Sequence, residues 1–138
     1  MVTTEASRAL VACIAVTLLL GVAGCTDKAS PDNVDRRAVE RWNYLIEHKA
    51  EQAYDYLTPG TRATQTREAY AAAMNNRPVQ WKEAKFVDKE CDADRCKVQV
   101  DVTYSVPMPA KGGSGVSSTR TQSETWLLVD GAWYLLPK

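Results

Sequence analysis

The sequence predicts an α+β domain in which N-terminal helices pack on a curved, four-stranded antiparallel sheet. Apolar residues recur at helical spacing between Asp32 and Asn75, and from Val79 onward they alternate with polar residues. The 138 residues are enough for one small domain and too few for two. Seventeen Lys and Arg balance 17 Asp and Glu. This neutrality argues against a nucleic-acid-binding protein, which normally carries a basic excess.

The first 24 residues are predicted to be a signal peptide. The apolar run from Ala9 to Ala23 is shorter than the ~20 residues that cross a bilayer, and it suits the hydrophobic region of a secretory signal. The run ends in Val22-Ala23-Gly24-Cys25, which resembles a bacterial lipobox. That resemblance implies cleavage before Cys25, a diacylglyceryl group on its sulfur and acylation of the new amine. A soluble secreted protein is the alternative.

These features predict a protein of the bacterial cell envelope that is attached to the membrane through a lipid anchor. Residues 25–33 would form a lipidated tether, and residues 34–138 would form the folded domain. The eight residues after Cys25 reach at most ~28 Å, so the domain is expected close to the bilayer. Thr26 stands where many inner-membrane lipoproteins carry Asp. This favours the periplasmic face of the outer membrane if the source is Gram-negative.

Three helices are predicted in the first half of the domain. The helical pattern runs from Asp32 to Leu57 and should bend near residues 47–49, because Lys49 would otherwise lie on the apolar face. The segment 58–60, Thr-Pro-Gly, should end this helical stretch. Thr66 is the predicted N-cap of a third helix, residues 67–75.

Four strands follow, predicted at residues 79–90, 97–106, 119–129 and 132–136. The second strand alternates most regularly, with four valines and Tyr104 on one face. Residues 107–118 would form a hairpin tip, and Asp130-Gly131 is a typical two-residue hairpin turn.

Cys91 and Cys96 are predicted to form a disulfide. They are the two cysteines that remain once Cys13 leaves with the signal and Cys25 carries lipid. An exported chain meets oxidising conditions, and a bond here would staple a β-hairpin near its turn. Structural zinc needs four ligands, and His48 is the one histidine available, so no metal or other cofactor is predicted.

The order of several motifs resembles that of nuclear-transport-factor-2-like domains. The helical part carries Trp42-x-x-Leu45-Ile46 and then Ala53-Tyr54-x-x-Leu57-Thr58-Pro59-Gly60-x-Arg62. The strands carry Cys91-x₄-Cys96-x-Val98-x-Val100-x-Val102-x-Tyr104 and Trp126-x-Leu128-x-Asp130-Gly131-x-Trp133. The resemblance covers about residues 32–136 and implies a cone-shaped α+β roll. It implies no single activity, because the superfamily includes isomerases, dehydratases, binding proteins and scaffolds.

No catalytic arrangement is recognisable in the sequence, so we expect a protein that is not an enzyme. His48 is predicted on the surface at the helix corner, and Asp101 on the solvated face of the second strand. No Asp or Glu is predicted on an apolar face, where burial would raise its pKa.

Two groups of aromatic residues are candidates for binding. Trp42, Tyr70 and Tyr104 could line the cone, whereas Trp126 and Trp133 could anchor a docking surface on the last hairpin. Such a surface would bind a second copy of the chain, in a homodimer, or another envelope protein. The alternative is that residues 107–118 or the C-terminal end of the chain cover it.

Three functions are therefore distinguished by the interior of the cone. A filled cone favours a non-catalytic interaction or scaffold domain. A cavity lined by the first group of aromatic residues favours a binder of small ligands. The same cavity with a buried carboxylate or His48 inside it favours an isomerase- or dehydratase-like enzyme.

Overall fold

The computed structural model describes residues 33–108 and 115–138. The signal peptide, Cys25 and nearly all of the tether lie outside the described residues, as do residues 109–114 of the predicted hairpin tip. No helix within the described ranges is both long and apolar enough to cross a membrane. The elements in chain order are α1 (Val34–Ile46), α2 (Ala50–Ala53), a 3₁₀ turn (Tyr54–Tyr56), α3 (Pro59–Thr64), α4 (Arg67–Asn75), β1 (Gln80–Cys91), β2 (Arg95–Val106), β3 (Val116–Val129) and β4 (Ala132–Leu136).

The strands form one antiparallel sheet in the order β1-β2-β3-β4, which confirms the predicted α+β meander. The bounds of β4 match the prediction, whereas β3 begins three residues before the predicted start at residue 119. Asp130 and Gly131 join β3 to β4 with φ values of 47° and 77°. Positive φ at both central residues is typical of a type I′ hairpin turn.

The predicted bend at residues 47–49 is confirmed, and its cause is a left-handed residue. His48 has φ 58°, its amide donates to the Leu45 carbonyl, and the Lys49 amide donates to the Tyr44 carbonyl at 2.7 Å. These two bonds form a Schellman motif, which satisfies the last carbonyls of α1. The chain therefore turns and starts α2 at Ala50.

The segment after Leu57 begins a further helix, which the sequence analysis missed. Thr58 is the N-cap of α3, since its Oγ1 accepts a hydrogen bond from the Thr61 amide, and Pro59 occupies the first helical position. Proline favours that position because its missing N–H would be unpaired there anyway. The predicted cap of α4 is confirmed, because the Ala69 amide donates to Thr66 Oγ1 at 3.2 Å.

The predicted disulfide is confirmed. Cys91 and Cys96 face each other across the β1–β2 hairpin, with Cα atoms 4.0 Å apart, and they are bonded. The Asp92 amide donates to the Arg95 carbonyl at 2.7 Å, which closes the turn between them.

The core lies between the helices and the concave face of the sheet, and it fills only part of that face. Along β2 the side chains at 96, 98, 100 and 102 are buried, whereas Tyr104 is half-buried and Val106 is 40% exposed. Along β3 the residues 116–121 are exposed, and burial begins near Glu124. The helices therefore leave open the end of the sheet near the β2–β3 tip.

Candidate functional site

A cleft of about 390 Å³ opens where the helices no longer cover the sheet. We call it the aromatic cleft, because three of its lining residues are Trp42, Trp81 and Tyr104. The Trp42 and Trp81 rings meet edge to face with centroids 5.8 Å apart. The remaining lining residues are Arg77, Val79, Val102, Arg120 and Gln122. Two arginines thus line the cleft together with aromatic and aliphatic residues.

A second opening of about 290 Å³, the side cleft, adjoins the first. It shares Trp42, Arg77, Trp81 and Gln122 with the aromatic cleft. It extends to the edge of β3 at residues 122–125 and to the C-terminal residues 135–138. Arg41 and Glu124 also line it.

Glu124 is a buried carboxylate whose two oxygens are both engaged. The residue is 8% exposed. Its Oε1 accepts from Arg41 Nη1 at 3.0 Å and from Trp42 Nε1 at 2.9 Å, and its Oε2 accepts from Trp126 Nε1 at 3.0 Å. Because all three contacts are donated to it, Glu124 is held as a carboxylate that links α1 to β3, and each of its oxygens already accepts at least one hydrogen bond.

Arg41 completes this buried network and keeps one donor unused. The residue is 6% exposed, and its Nη2 lies 3.4 Å from the Tyr70 hydroxyl. Its Nε is buried and has no hydrogen-bond partner among the described residues. A buried N–H without an acceptor is costly, so this part of the network lowers the stability that Arg41 contributes.

The prediction that no acidic residue lies on an apolar face was wrong. Glu124 shares the concave face with Trp126, two positions further along β3. Extending the alternation of β3 backward from Trp126 would have placed Glu124 inside. Its partner Arg41 precedes Trp42 on α1 and was overlooked because arginine is usually exposed.

Two of the three residues predicted to line the cone do so in the structure, and the third lies in the core. Trp42 and Tyr104 line the aromatic cleft, as predicted. Tyr70 is 3% exposed and packs 5.8 Å from the Tyr54 ring, so it belongs to the core behind Arg41 and lines neither cleft. Trp81 lines both clefts and was not singled out by the sequence analysis.

The predicted docking hairpin loses its two aromatic anchors. Trp126 and Trp133 are both 0% exposed, because their face of β3 and β4 is the one that meets the helices. Tyr134, which follows Trp133 along β4, is half-buried, and the guanidinium carbons of Arg37 and Arg62 lie 5.8 and 5.4 Å from its ring centroid. Trp126 and Trp133 are therefore core residues and offer no docking surface.

His48 and Asp101 lie outside both clefts. His48 is exposed at the corner after α1, as predicted. Asp101 accepts a hydrogen bond from Thr121 Oγ1 at 2.6 Å on the other face of the sheet. Among the described residues, no group of three His, Cys, Asp or Glu side chains is placed to hold a metal ion.

Comparison with known proteins identifies the fold. No family model matches the chain, and no curated protein matches it. A SEC-C motif-containing protein from Rhodopseudomonas palustris superposes with a TM-score of 0.60 at 15% identity, over 79% of this chain and 77% of that one. A "Putative NTF2-like transpeptidase" from Campylobacter jejuni superposes with a TM-score of 0.51 at 14% identity, over 77% of this chain and 99% of that one. The chain has a nuclear-transport-factor-2-like fold.

Identities of 14% and 15% show the likeness of fold alone. The names of these two proteins therefore describe them and not this chain, because one fold supports many functions. The function has to be argued from the clefts.

Proposed function

We propose that this protein is a lipid-anchored domain of the bacterial cell envelope that binds a partner or ligand in the aromatic cleft and catalyses no reaction. The observation that carries the proposal is the combination of a preformed aromatic cleft with a neighbouring carboxylate whose two oxygens already accept hydrogen bonds. Such a site offers surface for binding, whereas its carboxylate is held by three donors.

Among the described residues that line the two clefts, Glu124 has the one carboxylate side chain that could take part in catalysis. An acid or base must reach the proton that it transfers, directly or through one water molecule. Both oxygens of Glu124 are occupied by Arg41, Trp42 and Trp126. The described residues that line the aromatic cleft include no Asp, Glu or His. Tyr104 is the one residue of the lining with a side chain that could transfer a proton, and no second acid or base from the described residues stands beside it there.

The lining also indicates the chemistry of the ligand. Trp42, Trp81 and Tyr104 offer ring faces and edges to an apolar or aromatic body. Arg77 and Arg120 offer two positive groups, and no carboxylate lies within ion-pair distance of either among the described residues. We therefore propose a ligand with an apolar body and an anionic group.

The binding test uses the apolar, anionic dye anilinonaphthalene sulfonate. Residues 26–138 contain every described element, so this leaderless chain is the material. Trp81→Ala and Arg120→Gln should each weaken binding about tenfold, because each removes one of the two recognition features. Arg36→Gln removes an exposed positive charge on α1 outside both clefts and is the matched control. Equal affinities for all four proteins would contradict the proposed site.

The lipid anchor is proposed from Val22-Ala23-Gly24-Cys25 and is tested separately. Intact mass of the protein from a membrane fraction should show a chain that begins at Cys25 and carries acyl groups. Cys25→Ala should remove lipid and leave an uncleaved precursor. An unlipidated mature chain would refute the anchor and leave the binding test unaffected.

A further inference from the structure

One edge of β3 has no neighbouring strand among the described residues over most of its length. β4 pairs with β3 only from Thr125 to Val129. On its other side, β3 pairs with β2 without a register shift as far as Val116. Residues 116–124 therefore have β2 on one side and no described strand on the other. We call this stretch the free edge.

The backbone groups that face the free edge can be identified by alternation. The Leu128 amide donates to the Asp94 carbonyl at 2.8 Å, so it points to the β2 side. In an antiparallel strand, successive residues direct their N–H and C=O groups to opposite sides. The groups that point away from β2 are consequently those of Ser117, Thr119, Thr121 and Ser123, which provide four donors and four acceptors.

The other two edges of the sheet are protected. Along β4, the Trp133 carbonyl accepts from Arg37 Nε at 2.9 Å, and the Leu135 carbonyl accepts from the Thr58 amide at 3.0 Å. β1 carries two register shifts and six charged side chains in its 12 residues. Bulges, charges and covering loops are the usual means of preventing strand addition. The exposed part of the free edge reads VSSTRTQS, with Arg120 as its one charge and no register shift against β2, and no described segment covers it.

We propose that the free edge of β3 binds an extended peptide segment of a partner protein as an additional strand. Main-chain bonds to the edge supply affinity in this mode of recognition, and alternate side chains supply specificity. The proposal rests on the proposed function, because the side cleft adjoins the aromatic cleft and borders the free edge at Ser123. Side chains of the added strand that point toward the helices would enter the side cleft.

The charges near this edge indicate an acidic segment. Arg77 and Lys138 line the side cleft, and Arg120 lies on the edge and lines the aromatic cleft. The one acidic side chain in the two linings is that of Glu124, which is already paired. The segment expected here alternates apolar with polar residues and includes Asp, Glu or a terminal carboxylate.

A second copy of this chain is a poorer occupant. β4 occupies the place beside Thr125, so a second β3 could pair antiparallel only if the pairing were centred near Thr119. Arg120 of one copy would then lie opposite Ser118 of the other, which puts the two arginines on one face about 7–8 Å apart. Like charges at that position oppose self-pairing.

The experiment selects peptides from a random dodecapeptide display library on the mature lipidated protein in phospholipid nanodiscs, with empty nanodiscs as the blank. Selected peptides are then titrated against Thr119→Pro and Thr119→Val. Proline removes an N–H from the free edge and obstructs it, whereas that N–H makes no bond to β2. Valine keeps the N–H and removes the hydroxyl contact with Thr103, so it is the matched control. If Thr119→Pro does not fold, Ser117→Pro replaces it.

We expect to select acidic peptides in which apolar and polar residues alternate. Their affinity should fall at least about tenfold for Thr119→Pro and stay unchanged for Thr119→Val. Amide exchange should slow at 117, 119, 121 and 123 and not at the residues between them. Peptides that bind both variants equally, without slower amide exchange at alternate residues of the edge, would overturn strand addition. That result would not contradict binding in the aromatic cleft. Failure to select any peptide would overturn it too. If the unaltered protein were a dimer by mass and Thr119→Pro a monomer, the edge would bind a second copy of the chain instead.

Discussion

Removing the buried carboxylate Glu124 should be among the most destabilising single changes in this domain. In Glu124→Ala, the guanidinium of Arg41 remains buried without its counter-ion, and the indole N–H groups of Trp42 and Trp126 lose their acceptor. Both side chains of the ion pair are only 8% exposed. Breaking a buried pair on one side typically costs about 3–5 kcal/mol. That is a large part of the 5–15 kcal/mol that is typical of a whole domain.

The magnitude comes from the orphaned charge, and a second variant tests this cause. Replacing both partners, in Arg41→Met with Glu124→Leu, removes the charge as well as its counter-ion. Buried pairs replaced by apolar residues of similar volume often lose little stability. We expect the double variant to be more stable than Glu124→Ala. The stability of Glu124→Gln should lie between those of Glu124→Ala and the double variant. The glutamine keeps one acceptor oxygen, but its amide group points N–H groups at the donors that the carboxylate accepted from.

Urea unfolding followed by circular dichroism at pH 7 measures these differences. The control is Glu47→Ala, which removes an exposed ion pair with Lys49, both side chains being 53% exposed. Exposed pairs contribute little, so this control should behave like the unaltered protein. If Glu124→Ala matched the control, the reasoning from burial would be refuted. If the double variant were no more stable than Glu124→Ala, the orphaned Arg41 would not be the cause.

Three further predictions concern the disulfide, a helix cap and alkaline pH. Loss of the Cys91–Cys96 bond in the double serine variant should cost roughly 2 kcal/mol by urea unfolding and leave the fold intact, since the closed loop is short; complete unfolding would contradict it. Thr66→Ala removes the acceptor of the Ala69 amide and should cost about 1 kcal/mol, whereas Thr66→Ser should cost almost nothing. Burial, with help from Glu40, raises the pKa of Tyr56 above its usual value near 10. Stability should therefore hold below about pH 10 and fall above it, and Tyr56→Phe should reduce that fall.

The sequence alone determined the local structure wherever one residue type has one strong local preference. Thr66 before a helical pattern predicts a cap, and Asp130-Gly131 predicts a tight hairpin, because few other conformations suit these residues. Lys49 on an otherwise apolar face predicts a break in the helix, although His48 supplies the left-handed conformation. The pairing of Cys91 with Cys96 also followed from local information, since they flank one turn.

The candidate site was only partly predictable, because its members come from distant parts of the chain. Trp42 and Tyr104 were expected in the cone, but Arg120 and Trp81 were not, since a single exposed Arg or half-buried Trp carries no signal in one sequence. Glu124 could have been placed inside by alternation, yet its partner Arg41 is 83 residues away, and nothing local joins the two.

Tertiary structure decided which face of the last hairpin is buried and which edge of the sheet is open. Next to the turn, at residues 126–129 and 133–136, both faces of the last hairpin are apolar in sequence, so only the position of the helices assigns Trp126 and Trp133 to the core. Likewise, β3 has a free edge because β4 is nine residues shorter than β3. The outer edge of β4 is not free, because the chain between Tyr56 and Pro59 covers it. Burial and edge exposure depend on what lies across the fold, and local propensity contains no information about that.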